Sequence, residues 1–195
     1  CVEIRCGDEL IIIDTGTGVR YLGMSLMKEM PVKGTILFSH VHWDHIQGFP
    51  FFAPFFVPGN EFRVFGGTSL PMTISDVLNQ QMTPPCFPVK TDLFGAKITY
   101  HDVKPGDVIE GDNYKITMTS LYHPNGCYAY RIEYEGKSLV FSNDCEHYEN
   151  EPNTNLIELC RDTDVLVYDA QYTEDKYYGR NGQFSRTGWG HSTMR

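Results

Sequence analysis

Within Ser39-His40-Val41-His42-Trp43-Asp44-His45, four side chains of metal-ligand type fall inside the six positions 40–45, in the order H-x-H-x-D-H. Two histidines separated by one residue point to the same side of an extended backbone, so His40 and His42 can grip one ion together. Asp44 and His45 follow where the segment must turn, and can face a second ion nearby. Imidazole and carboxylate donors suit zinc, manganese or iron. A polar turn that is merely rich in histidine is the bland alternative, and this density of donors at a strand end argues against it. Such a cluster supports metal-assisted activation of water.

Three more donors stand at the ends of patterned runs. His123 follows Tyr114 to Leu121 and opens the turn Pro124-Asn125-Gly126, so a rigid element would aim it. Alone, a His-Pro turn says little. Asp169 closes Val165-Leu166-Val167-Tyr168, which reads as a buried strand, and a turn or helix-capping aspartate is the other reading. His191 stands in Gly188-Trp189-Gly190-His191-Ser192-Thr193, close to the last residue.

The elements that must position these groups alternate between strand and helix. Cys1 to Arg5 and Glu9 to Ile13 read as strands joined at Gly7-Asp8, and Leu10-Ile11-Ile12-Ile13 is apolar enough to be covered on both faces. Asp14 follows in a loop with Gly16 and Gly18, able to approach a site or to cap a helix. From Gly18 to Met30, apolar residues keep a helical spacing, and Thr35 to Phe38 is the strand into the histidine motif. Gln47 to Phe52, rich in phenylalanine and proline, is either a stacking surface at a substrate mouth or core. Further strands are expected at Phe62 to Phe65, Lys97 to Tyr100, Tyr114 to Leu121, Tyr128 to Tyr134 and Ser138 to Phe141. Helices are expected at Ile74 to Gln81 and Asn155 to Arg161. No repeat, low-complexity tract or linker interrupts the chain, so one domain over residues 1–195 is the expectation.

The H-x-H-x-D-H motif, together with Ile13-Asp14-Thr15-Gly16-Thr17-Gly18, closely resembles the metallo-β-lactamase-fold hydrolases. More narrowly, it resembles their phosphodiesterase and ribonuclease Z-like branch. His45 stands where zinc β-lactamases proper carry another residue, which points away from lactam cleavage. The resemblance implies an α/β chain folded as an αββα four-layer sandwich, incomplete at the termini: the family pattern includes one more N-terminal strand and a later C-terminal histidine. It implies a first metal on His40, His42 and His123, and a second on Asp44 and His45. Asp169 would bridge the two, since each carboxylate oxygen can face one cation. Asp14 would orient ligands from behind. The loop Asn143-Asp144-Cys145-Glu146-His147 would lie beneath the site as structure. Asp44 would steer the attacking water, and His191 would protonate the leaving oxygen. The implied cofactors are two divalent ions, zinc first, with manganese or iron as alternatives.

Composition bounds the partners. Sixteen basic against 25 acidic residues give a net charge of −9, which disfavours a broad nucleic-acid footprint, although bound cations would make the site locally positive. No apolar run reaches the roughly 20 residues a membrane span needs. Six cysteines at 1, 6, 86, 127, 145 and 160 include no C-x-x-C pair and read as reduced core residues, favouring a cytoplasmic setting. Sheet edges left open at short ends make a homo-oligomer conceivable. Hydrolysis of a small cyclic or linear nucleotide diester leads the functional expectations. Ribonuclease Z-like cleavage of RNA, lactone or thioester hydrolysis, and a non-catalytic metal-holding domain are the alternatives.

Overall fold

Strand pairing in the computed structural model, which describes residues 1–68, 70–147 and 151–194, produces two five-stranded sheets. One lies in each of two compact units, Cys1–Val103 and Lys104–Arg195.

In the first unit, β1 (Val2–Cys6) folds back on β2 (Glu9–Ile13) as an antiparallel hairpin, with Gly7 in the left-handed region at φ 63°. β2 is fully covered, as its unbroken apolar run requires. α1 (Val19–Leu26) leads to β3 (Lys33–Leu37), and α2 (Trp43–Ile46) with two 3-10 turns leads to β4 (Glu61–Gly66). α3 (Ile74–Gln80) then leads to β5 (Lys97–Asp102). β2, β3, β4 and β5 pair in parallel, so β3, β4 and β5 must each be reached by a crossover, and these segments are the crossovers. α1 ends four residues before the expected Met30, where Lys28 N and Glu29 N donate to Ser25 O and Leu26 O as the chain turns out of the helix.

The phenylalanine-rich stretch divides by position. Phe49, Phe52 and Phe55 are fully buried and meet one another, Phe62 and Phe94 edge-on or tilted, with centroids 4.7–5.8 Å apart. Phe51 and Phe56 face outward, at 55% and 39% exposed. The core reading therefore holds for Phe49 and Phe52, while Phe51 lies at the surface of the same segment. Gly48 sits at its start, its N–H donating to Thr15 O at 2.7 Å. A Cβ there would overlap Gly16 O and lie 2.6 Å from Thr15 O. Gly48→Ala is expected to cost about 1–3 kcal/mol of stability through this overpacking. Thermal unfolding checks it, and an unchanged midpoint would mean that the Thr15–Gly16 loop yields freely.

In the second unit, β6 (Val108–Glu110), β7 (Tyr114–Leu121), β8 (Cys127–Tyr134) and β9 (Lys137–Ser142) form an antiparallel meander. α4 (Thr154–Leu159) then crosses over, and β10 (Val165–Tyr168) joins β9 in parallel. α5 (Glu174–Tyr178) follows. Direction alternates from β7 to β9 and is kept at β10, so β7, β9 and β10 all end at the same edge of the sheet. β10 corrects the expectation of a buried strand: Val165, Leu166, Val167 and Tyr168 are 50%, 47%, 40% and 38% exposed. It is the outermost strand of its sheet, with β9 on one side and no partner strand on the other among the described residues.

Candidate metal centre

Parallel strands gather their functional groups beyond their carboxyl ends, where backbone and loops converge. In the first unit, β2 delivers Asp14 and β3 delivers Ser39 to His45. Asp14 adopts φ 57°, a backbone region that aspartate tolerates better than most residues. This turns its buried carboxylate back over the end of β3. Oδ1 accepts from Ser39 N at 2.8 Å, and Oδ2 accepts from Ser39 Oγ at 2.8 Å and His45 Nδ1 at 2.9 Å. Asp14 is thus an organiser of the motif and not a helix cap, since Gly18 holds the cap position of α1.

These bonds fix proton positions. His45 places its proton on Nδ1 and turns Nε2 toward Asp44 Oδ2, 3.3 Å away. Ser39 Oγ spends its proton on Asp14, so it accepts from His40 Nδ1 at 3.1 Å. The lone pair of His40 Nε2 then faces His42 Nδ1 at 3.0 Å. Two nitrogens each about 2.0–2.1 Å from one tetrahedral ion stand roughly 3.4 Å apart, so the pair fits a divalent cation closely. His40 is buried and Asp44 exposed, which keeps one end of the donor set dry and the other open.

In the second unit, His123 follows β7, Asp144 follows β9 and Asp169 follows β10, at the shared edge described above. His123 donates from Nδ1 to Gly190 O at 2.8 Å, and its Nε2 lies 3.9 Å from Asp144 Oδ2. Donor atoms of His123, Asp144 and His191 all lie within 4.8 Å of one another. Asp169 is nearly buried, taking Gln171 N on Oδ1 at 2.9 Å, and Cys145 N at 3.2 Å and His191 Nδ1 at 2.8 Å on Oδ2. The Asp169 bond keeps a proton on His191 Nδ1. Tyr172 flanks the His191 ring at 5.7 Å.

The structure thus draws His40, His42, Asp44 and His45 together in one unit, and His123 and His191 in the other, with Asp169 holding His191. Sequence reasoning set Asp144 aside as loop structure, whereas it joins the donor cluster of His123 and His191. Its position directly after a strand, as with His123 and Asp169, was the available signal. Glu146 was equally passed over, and nothing in its neighbours marks it. His101 lies outside both donor sets, stacked on Phe65 at 4.7 Å. Beside Asp169, burial pushes the Cys145 thiol up and the Tyr168 hydroxyl up to about 12, so neither of these two is primed as a nucleophile.

Comparison with known proteins gives this geometry a family. A family model described as a beta-lactamase superfamily domain matches residues 10–195. Ribonuclease Z of Prochlorococcus marinus (strain AS9601) is 25% identical over 175 residues, covering 87% of this chain and 54% of that protein. The chain therefore spans about half the length of this curated relative. Among solved structures, the metallo-beta-lactamase fold protein YhfI of Bacillus subtilis matches with a TM-score of 0.66 at 20% identity, over 98% of this chain and 68% of that one. A diphosphatase from the PhnP family matches with a TM-score of 0.66 at 21% identity, over 98% and 64%. No described helix is long and apolar enough to cross a membrane. With its two sheets, few helices and histidine-rich strand ends, the chain belongs to the beta-lactamase superfamily and has the metallo-β-lactamase fold.

Proposed function

We propose that this chain supplies the catalytic groups of a metal-dependent phosphodiesterase acting on a small nucleotide diester. In this reading His40, His42 and His123 would hold one divalent ion and Asp44 and His45 a second, with Asp144 among the ligands beside His123 and Asp169 orienting His191. Two such ions, zinc first, would supply Lewis acidity to the phosphoryl group and lower the pKa of a water near neutrality. Asp14 and Gly190 O keep the ring protons of His45 and His123 turned away from the donor nitrogens. Asp44, exposed and adjacent to His45 Nε2, orients the attacking water.

The observation that carries the reading is His191. Its Nδ1 is held by the Asp169 carboxylate, and its ring stands beside that of His123 with centroids 5.3 Å apart. Nε2 is then the atom that passes a proton to the departing alkoxide, and histidine suits that transfer near neutrality. A diester is favoured over a lactone by the run leading into His191. Arg186 lies 5.7, 5.3 and 5.9 Å from the ring centres of Tyr172, Phe184 and Trp189, and Arg180 lies 5.0 Å from that of Tyr178. Flat rings interleaved with arginine suit a ligand that carries a base and a phosphate. The ribonuclease Z relatives favour one second reading, cleavage of RNA.

The test compares turnover of 3′,5′-cyclic AMP, bis(p-nitrophenyl) phosphate, a lactone and a structured RNA by zinc- or manganese-loaded protein. His191→Ala is expected to slow cyclic AMP, with its poor leaving group, about 10²–10⁴-fold and the nitrophenyl ester far less. Equal losses on both would remove the acid role, and lactone turnover without diester turnover would overturn the reading.

A further inference from the structure

Glu146 is a buried carboxylate outside the proposed ligand set, and such a group is costly unless its lone pairs are met. Three donors meet them. Tyr177 Oη and Gly188 N donate to Oε1, each at 2.7 Å, and Gly190 N donates to Oε2 at 2.9 Å. Gly188 and Gly190 hold φ 85° and 84°, a conformation open to glycine, so both N–H groups turn inward onto one anion. The carbonyl of Gly190 then faces His123 and accepts from its Nδ1 at 2.8 Å. Any Cβ on Gly190 would overlap that same ring. Two residues on, Ser192 Oγ donates to Cys145 O, so residues 188–192 are fastened to 145–146 on both sides of His191.

We propose that Glu146 is a positioning residue for the metal centre: by clamping the Gly188–Gly190 turn it aims Gly190 O at His123, selects the Nδ1–H tautomer and presents Nε2 to the metal. The proposal rests on the reading of His123 as a ligand. It departs from a purely packing role in one respect, the proton position on a ring that Glu146 does not touch.

Glu146→Gln separates the two. The amide nearly preserves shape but has one acceptor oxygen, so the N–H of either Gly188 or Gly190 must face an NH2 donor. Tyr177→Phe is the control, since it removes one bond to Glu146 and leaves both glycine bonds. The readouts are histidine-ring ¹⁵N spectra of metal-free and zinc-loaded protein, and zinc affinity by chelator competition. Wild type is expected to show His123 as the Nδ1–H form. In E146Q that form should give way to a tautomer mixture in the metal-free protein, with zinc affinity lowered about 10–100-fold. Y177F should stay within about twofold of wild type. An Nε2–H tautomer in metal-free wild type overturns the proposal, as does an E146Q chain that keeps both tautomer and affinity. If E146Q fails to fold, the wild-type spectrum decides by itself. Neither readout uses a substrate, so absence of phosphodiester turnover would sink the proposed function without touching this result.

Discussion

A His42→Ala chain is expected to lose nearly all tightly held metal at the site that His40 and His42 form, while folding as wild type does. Two nitrogens 3.0 Å apart, one fixed as a lone pair by the Ser39–Asp14 relay, are the strongest donor pair in the first unit. Removing one leaves His40 with too few companions to compete with water. The loss of affinity should exceed the roughly 10–100-fold that changes behind the ligands cost. Little fold stability is at stake, because the hydrophobic cluster around Phe49, Phe52 and Phe55 includes neither histidine. Metal per chain after dialysis against a weak chelator is the measurement, beside His101→Ala as a histidine outside the donor sets. Full metal content in His42→Ala would remove this pair from the centre, whatever the fate of activity.

Asp14→Ala is expected to act on fold and site together. The carboxylate serves Ser39 N, Ser39 Oγ and His45 Nδ1 in a buried pocket, and alanine would strand all three. A buried donor left without an acceptor costs about 1–3 kcal/mol, so a loss on the order of 3–5 kcal/mol follows after partial relaxation. Alanine also disfavours the left-handed backbone that residue 14 adopts, which asparagine tolerates. Asp14→Asn should therefore recover the backbone part of the loss but not the hold on His45. Chemical denaturation of both variants, read with metal content, distinguishes the two contributions. Equal stability of Asn and Ala variants would mean that the carboxylate alone matters, and a wild-type stability in Ala would overturn the organising role.

Local chemistry made much of the chain legible before its structure. β2, β3, β4, β7 and β9 lie where β-branched runs and turn glycines put them, because those signals act over a few residues. H-x-H-x-D-H could be read as a metal motif because its donors are neighbours in sequence, and an extended backbone alone brings His40 to His42. Where the reading failed, the deciding partner was distant. β10 has the composition of a buried strand, yet burial is a property of what lies on each side, and among the described residues only β9 pairs with it. Phe51 and Phe52 are adjacent and alike, and the 3-10 turns sent one out and one in.

The same division holds within the site. Sequence alone determined the donor types, their clustering at strand ends and the family to which the pattern is similar. Tertiary structure decided which nitrogen of each ring carries its proton, because that depends on acceptors far away in the chain: Asp14 for His45, Gly190 for His123, Asp169 for His191. It also brought Asp144 into the donor cluster and put Glu146 behind it, since strand direction, not residue type, gathers the ends of β7, β9 and β10 at one edge. A hydrogen bond between residues 67 positions apart, as between His123 and Gly190, leaves no periodicity in the sequence to read.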